Sequence, residues 1–232
     1  MSVILNIESA TDICSIAISR DKEILALKEL VGNFHAEKMT LMINECVETS
    51  GIHIKHLDAV AISNGPGSYT SLRIGGSTAK GICYALDLPL IAIDTLESLA
   101  MAAFNEVGDE TALYCPMIDA RRMEVYTALY QFSKITGTLE NIEPMNPKII
   151  DSDSYAHYFQ KNKKIYFCGN GAPKCQEIFL NSHAFFSPIQ CSARYLYMLS
   201  NRAFREKRFV DVAYHTPQYL KAPNVTIAKQ RL

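Results

Sequence analysis

Asn64-Gly65-Pro66-Gly67-Ser68-Tyr69-Thr70-Ser71-Leu72-Arg73-Ile74-Gly75 joins a short apolar run, Leu57 to Ser63, to a long helical stretch from Tyr69 to about Leu86. Glycines between a buried strand and a helix let backbone N–H groups approach an anion at the positive end of the helix. The same residues also make a tight strand-to-helix turn with Ser68 as N-cap. A dinucleotide fingerprint would need glycine where Thr70 stands, and Gly-Lys-Ser/Thr occurs nowhere. Gly169-Asn170-Gly171-Ala172 repeats the arrangement in the second half of the chain, so the two turns together would frame a cleft.

Outward from the first turn, Val3 to Ile7, Cys14 to Ser19 and Glu23 to Glu29 read as strands, the last two forming a hairpin. Met39, Met42, Ile43, Cys46 and Val47 make one apolar stripe on a helix from His35 to Ser50. Leu90 to Ile93 is a strand and Thr95 to Phe104 a helix. The second half restarts with strands Thr111 to Ile118 and Glu124 to Phe132, followed by a loop-rich stretch from Ile135 to Pro147. Helix Ser152 to Phe159, strand Lys164 to Cys168, helix Pro173 to Leu180 and helix Ala193 to Lys207 complete the pattern, and the chain beyond Pro217 reads as extended. Two halves that alternate strands with helices predict an α/β fold of two domains, 1–105 and 106–232, each with a mixed sheet flanked by helices. The last helix could pack back on the first domain.

The 232 residues are 48% hydrophobic and carry 23 Lys and Arg against 24 Asp and Glu. That composition excludes disordered and fibrous classes, and the balanced charge excludes a global field for nucleic acid or anionic membrane. Seven scattered cysteines without a Cys-x-x-Cys pair encode neither a disulfide framework nor a zinc clip. With no signal core and no apolar stretch of about 18 residues, the expectation is a cytoplasmic protein without membrane contact. Glu8, Thr11 and Asp12 occupy the first hairpin turn, where a carboxylate could meet a hydrated cation, although such turns favour Asp and Thr for local hydrogen bonds anyway. His53 and His56 lack a third ligand nearby, and no metal site is expected. Gly75, Gly76 and Gly81 each cost the helix after Tyr69 roughly 1 kcal/mol against alanine, which close approach of a sheet or a partner helix would offset.

The run Asn64 to Gly75, continued by Asp94-Thr95-Leu96-Glu97-Ser98-Leu99-Ala100, Asp119 to Tyr126 and Pro217-Gln218-Tyr219-Leu220-Lys221, closely resembles the TsaB (YeaZ) family. The resemblance implies an actin-like ATPase fold, related to ribonuclease H. It also implies a part in making N6-threonylcarbamoyladenosine at position 37 of tRNA, as partner of the TsaD transferase and alongside the ATPase TsaE. Where TsaD carries a metal-binding His-x-Glu-Gly-His helix, this chain reads Thr95-Leu96-Glu97-Ser98-Leu99, without either imidazole. The expected subunit is therefore non-catalytic, takes no cofactor, and meets tRNA through the complex.

The resemblance further implies that the first two helices of the first domain contact TsaD, or a second copy when TsaD is missing. Met39, Met42, Ile43, Leu72, Gly75, Gly76 and Ala79 are the candidate contacts. The competing reading is an actin-like nucleotide phosphohydrolase acting alone, with phosphates held by Asp12, Gly65, Gly67, Ser68, Gly169 and Gly171.

Overall fold

The computed structural model describes residues 1–221. Strands β1 (Val3–Glu8), β2 (Ile13–Arg20), β3 (Glu23–Val31), β4 (Ala59–Ser63) and β5 (Leu90–Ile93) form one sheet in the order β3-β2-β1-β4-β5. β1 runs antiparallel to β2 and parallel to β4, and β4 runs parallel to β5. Strands β6 (Leu113–Asp119), β7 (Glu124–Ser133), β8 (Thr138–Ile149), β9 (Ile165–Cys168) and β10 (Ala184–Phe186) form a second sheet in the order β10-β9-β6-β7-β8. Read from β8, it repeats the first sheet strand for strand and direction for direction. This ribonuclease H-like order, present twice, is the actin-like ATPase architecture.

Period-two alternation on β1 explains how both faces of the first sheet are covered. Leu5 and Ile7 point into a core with Met39, Met42, Ile43 and Cys46 of α1 (His35–Ser50) and Ala79 and Cys83 of α2 (Tyr69–Leu86). Ile4, with Ala59, Ala61, Ile91 and Ile93, meets Leu196, Leu199 and Ala203 of α5 (Ala193–Arg205) on the opposite face. That face also holds a buried polar set: Ser200 Oγ donates to Asn6 Oδ1 at 2.7 Å and Ala193 N to Ser15 Oγ at 3.0 Å. These bonds fix the register of α5 on the sheet, because a buried amide or hydroxyl left unpaired is costly.

Helix α3 (Thr95–Val107) follows the first sheet in sequence but packs on the second, its Leu96, Leu99, Ala100 and Ala103 sharing a core with Tyr114, Ile118 and Cys168. A division at residue 105 therefore falls inside a helix, and each sheet borrows a helix from the other half of the chain. Arg202 of α5 and Glu97 of α3 are joined at 3.0 Å, so the two borrowed helices also meet.

Four elements differ from the sequence expectation. Residues 138–149, expected as loop, form the edge strand β8, where Pro144 and Pro147 are tolerated because an outer strand has a free side. Only Pro173–Cys175 forms a single 3-10 turn in place of a helix to Leu180, because turn bonds to the Cys175 carbonyl turn Phe179 inward against Phe167. Helix α4 is confined to Ala156–Gln160, and β10, only three residues long, had no periodicity to read.

The glycines sort by what lies behind them. A Cβ on Gly67 would overlap the carbonyl oxygen of Ala10, which cannot move aside without breaking its bond from Ser68 N at 2.7 Å. Gly81 has nothing within 4 Å of that position. Gly67→Ala is expected to lower stability by about 1 to 3 kcal/mol, and Gly81→Ala to raise it by roughly 0.5 to 1 kcal/mol. Urea unfolding midpoints of the two variants, compared with the parent chain, check both signs.

Candidate functional site

The carboxyl ends of β1, β4 and β5 meet at one rim of the first sheet, the usual place for a site in this class of fold. β1 delivers Glu8, β4 delivers Ser63 and Asn64, and β5 leads into Asp94. Glu8 is 1% exposed and its Oε1 accepts from Ala10 N at 2.7 Å. Burial pushes its carboxyl up to about 7, against opposing hydrogen bonds from Ala10, Ser63 and Ser9. Asp94 caps α3, accepting from Leu96 N at 2.8 Å and Glu97 N at 3.0 Å, and burial raises it to about 6 despite those bonds. Sequence reading placed Glu8 in the hairpin turn and passed over Asp94 as a site residue. The helix-capping position of Asp94 was the available signal.

The glycine turn after β4 is filled by the chain itself. Gly67 lies on the β1–β2 turn at Ala10, and a Cβ on Gly65, at φ +102°, would lie 2.7 Å from the carbonyl oxygen of Gln218, too close to fit. Gln218 N donates to Asn64 O at 2.7 Å, Gly65 N to Thr95 Oγ1 at 3.2 Å, and Thr95 N to Gly65 O at 3.0 Å. Ser68 is exposed and caps α2 through Ser71 N at 3.4 Å. Asp12 is exposed at the same turn, and its carbonyl accepts from Gly32 N at 2.8 Å.

The second glycine turn has the same construction. A Cβ on Gly169, at φ +88°, would overlap the Met117 carbonyl, and Gly171 N donates to that oxygen at 2.9 Å. Asp119 N donates to Asn170 Oδ1 at 2.9 Å. The Lys174 ammonium donates to the carbonyls of Arg122 at 2.8 Å and Glu124 at 2.6 Å and also pairs with Asp119. A cation thus already sits at this turn. At Gly65, Gly67, Gly169 and Gly171 backbone approaches backbone too closely for a Cβ.

Thr95 and Leu99, which stand where the resemblance puts a histidine pair in TsaD, are 0% and 1% exposed. Thr95 holds the glycine turn, and Leu99 belongs to the core beneath the second sheet. Glu97 of the same helix pairs with Arg202. His53 and His56 lie on a surface turn with ring centroids 5.8 Å apart, and His53 accepts from Lys55 N at 3.2 Å.

The proposed contact residues lie inside the chain. Met39, Met42, Ile43, Leu72 and Ala79 are between 0% and 6% exposed, and Gly75 faces the Ser9 side chain. Gly76, also buried, has Pro217 Cγ 3.9 Å from its Cβ position. The correction has a simple cause: on a helix lying against a sheet, the apolar stripe is the face turned to the sheet. What α1 and α2 turn outward is Leu41, 51% exposed, Ser77, Gly81 and Tyr84, 89% exposed.

Glu8 also sets a pH dependence. Its carboxyl is neutral by preference in the fold, so its contribution is most favourable below the unfolded value of 4.5 and is lost as pH rises toward about 7. That gap corresponds to about 3 kcal/mol. Glu8→Gln, which keeps an oxygen for Ala10 N, is expected to be more stable than the parent above pH 7, by an amount that shrinks to nothing near pH 4.5. Urea midpoints across that range read the difference, and a pH-independent gap would show that Glu8 is not the titrating group.

Comparison with known proteins follows the same lines as this geometry. The chain is 38% identical to the tRNA threonylcarbamoyladenosine biosynthesis protein TsaB of Escherichia coli over 55% of its own length and 54% of that protein. It is 28% identical to the TsaB of Bacillus subtilis over 94% of its length and 93% of that protein. The chain thus spans about half of the first relative and nearly all of the second. The crystal structure of YeaZ from Pseudomonas aeruginosa superposes with a TM-score of 0.78 at 25% identity, covering 95% of this chain and 100% of that one. The family model described as TsaD, tRNA N6-adenosine threonylcarbamoyltransferase, matches residues 28–229, and with these relatives it shows that the chain belongs to that family, among its TsaB (YeaZ) members.

Proposed function

We propose that the chain is a non-catalytic subunit in the cytoplasmic formation of N6-threonylcarbamoyladenosine at position 37 of tRNA. In this reading it binds and supports a TsaD-type transferase, with a TsaE-type ATPase as further partner, and pairs with a second copy when the transferase is absent. The observation that carries the reading is the state of the two glycine turns. Gln218 closes the first, Lys174 and Asp119 close the second, and Thr95 and Leu99 are committed to packing. The relatives' names supply the pathway.

The contact with the transferase falls on the outward face of α1 and α2, not on their buried stripe. Leu41 and Tyr84 offer apolar area, while Ser77 and Gly81 allow another helix to come close. Gly81 is a costly residue in a helix, and nothing among the described residues requires it.

Light scattering on size-exclusion eluate, for the chain alone and mixed with the TsaD-type protein of the same organism, tests this. The expected result is a homodimer that converts to a one-to-one heterodimer. Gly81→Arg should abolish both associations while raising stability by roughly 0.5 kcal/mol, because arginine is a better helix former than glycine. Retention of heterodimer by Gly81→Arg would move the interface elsewhere, and no association of the parent chain at micromolar concentration would end the reading.

A further inference from the structure

Helix α2 carries Arg73 and Lys80 seven residues apart on one side and no acidic residue between Tyr69 and Leu86. Along that side runs the segment after α5. Val210 N donates to Leu90 O at 2.9 Å, Lys80 Nζ to Ala213 O at 3.1 Å, and Gln218 N to Asn64 O at 2.7 Å. Tyr219 packs against Tyr69 with ring centroids 4.5 Å apart and the rings tilted by 40°, and the Arg73 guanidinium lies 5.3 Å over the Tyr69 ring while donating to its hydroxyl at 2.9 Å. Tyr214 on the same segment is 85% exposed. The segment then crosses to the other sheet, where Lys221 pairs with Glu124 beside the β6–β7 turn.

That turn presents Arg121 and Arg122 outward, both in left-handed backbone at φ 71° and 51°. Four residues, 120–123, join the two strands, and residues other than glycine held in left-handed backbone are strained, a cost that commonly marks function. Among the described residues, no carboxylate lies within 4 Å of Arg73, Arg121 or Arg122, and residues 222–232 add Lys229 and Arg231 but no Asp or Glu. Asp119 is already occupied by Lys174, and Asp211 by the amides of Ala213 and Tyr214 at 2.8 Å each. In a chain of net charge −1, arginines with no carboxylate partner among the described residues, set among half-exposed tyrosines, are a local departure from the average surface.

We propose that this belt, from Arg73, Tyr69 and Tyr219 to Tyr214 and across to Arg121 and Arg122, is an RNA-binding surface of this chain itself. The arginines meet phosphates and the tyrosines receive unstacked bases. The inference rests on the proposed tRNA role for its choice of RNA, and it goes beyond that role in giving this subunit its own contact.

The test is fluorescence anisotropy of a labelled, unmodified tRNA transcript with the full chain, starting near 50 mM salt. The parent chain should bind, with affinity falling linearly with salt on a double-logarithmic plot. The triple variant Arg73→Gln, Arg121→Gln, Arg122→Gln should bind at least tenfold more weakly, with a slope shallower by about 2. Tyr214→Ser, which removes an exposed ring without disturbing packing, and Tyr219→Leu should each weaken tRNA binding about fivefold or more at unchanged slope, and leave heparin binding unchanged. The inference is overturned if the parent chain fails to bind tRNA at tens of micromolar, if the triple variant matches it, or if both tyrosine variants bind tRNA as the parent does. Light scattering of the Arg121→Gln, Arg122→Gln double variant with the TsaD-type protein separates the two readings. Intact association with lost RNA binding leaves both standing, and lost association of the parent chain overturns the earlier one alone.

Discussion

Backbone lying directly on backbone, at the glycine turns, is the constraint on which the rest of the molecule depends. The turn after β4 rests on Ala10 between β1 and β2, and the turn after β9 rests on Met117 at the end of β6. Each contact leaves no room for a Cβ, so each turn is drawn down onto its own sheet with side chains excluded from the closest approach. Thr95, bonded both ways to Gly65, then carries the chain from the first sheet into α3, whose apolar face belongs to the second. With α5 returned to the first sheet through Asn6 and Ser15, the halves are interleaved and neither sheet is covered by its own consecutive helices alone. This interleaving ties separation of the halves to exposing two apolar helix faces, which opposes independent domain motion.

Local pattern made most of these elements legible. Helices α1 and α2 and strand β5 begin and end where apolar spacing, Gly51, Ser68 and Pro89 place them, because each has a strong periodic face and a definite start or stop. The failures lie where tertiary position outweighs local preference. β8 contains two prolines and little alternation, yet one occupied neighbour, β7, suffices to make it a strand. The stretch after Pro173 has a helical beginning, but the inward anchoring of Phe179 ends it within a turn. The strand-for-strand repetition of the two sheets shows in the residues only as the second glycine turn at Gly169 to Ala172, since topology constrains connection order and not side-chain identity.

The candidate site was legible in its positions and not in its roles. A glycine in a sequence announces that something comes close, and only the folded chain tells whether that is a ligand or its own backbone; at Gly67 and Gly169 it is backbone. Apolar spacing on α1 likewise reports the face buried against the sheet, so Met39, Met42 and Ile43 were conspicuous for the reason that disqualifies them as contacts. The informative residues for an outward contact are those with no internal explanation: Gly81, behind which there is nothing, and Leu41 and Tyr84, left in solvent. Glu8 needed the structure as well, since a carboxylate in a turn looks solvated until the strands around it are placed.

The same hydrogen bonds bear on the proposed division of labour between the centre and the outside of this chain. In a two-sheet fold of this kind, a ligand held between the turns needs their amides and carbonyls free. Here the Gly65 turn is bonded to Thr95 and Gln218, and the carbonyls of Arg122 and Glu124 hold the Lys174 ammonium. A phosphate entering would have to displace Gln218 and compete with Asp119 for that ammonium, losing as many polar contacts as it gained. The arginines that no carboxylate pairs among the described residues, Arg73, Arg121 and Arg122, lie instead along α2 and at the β6–β7 turn, outside the glycine turns. Unsatisfied groups on adjoining surfaces, around a satisfied centre, are what a subunit needs if its work is to bring two other molecules together.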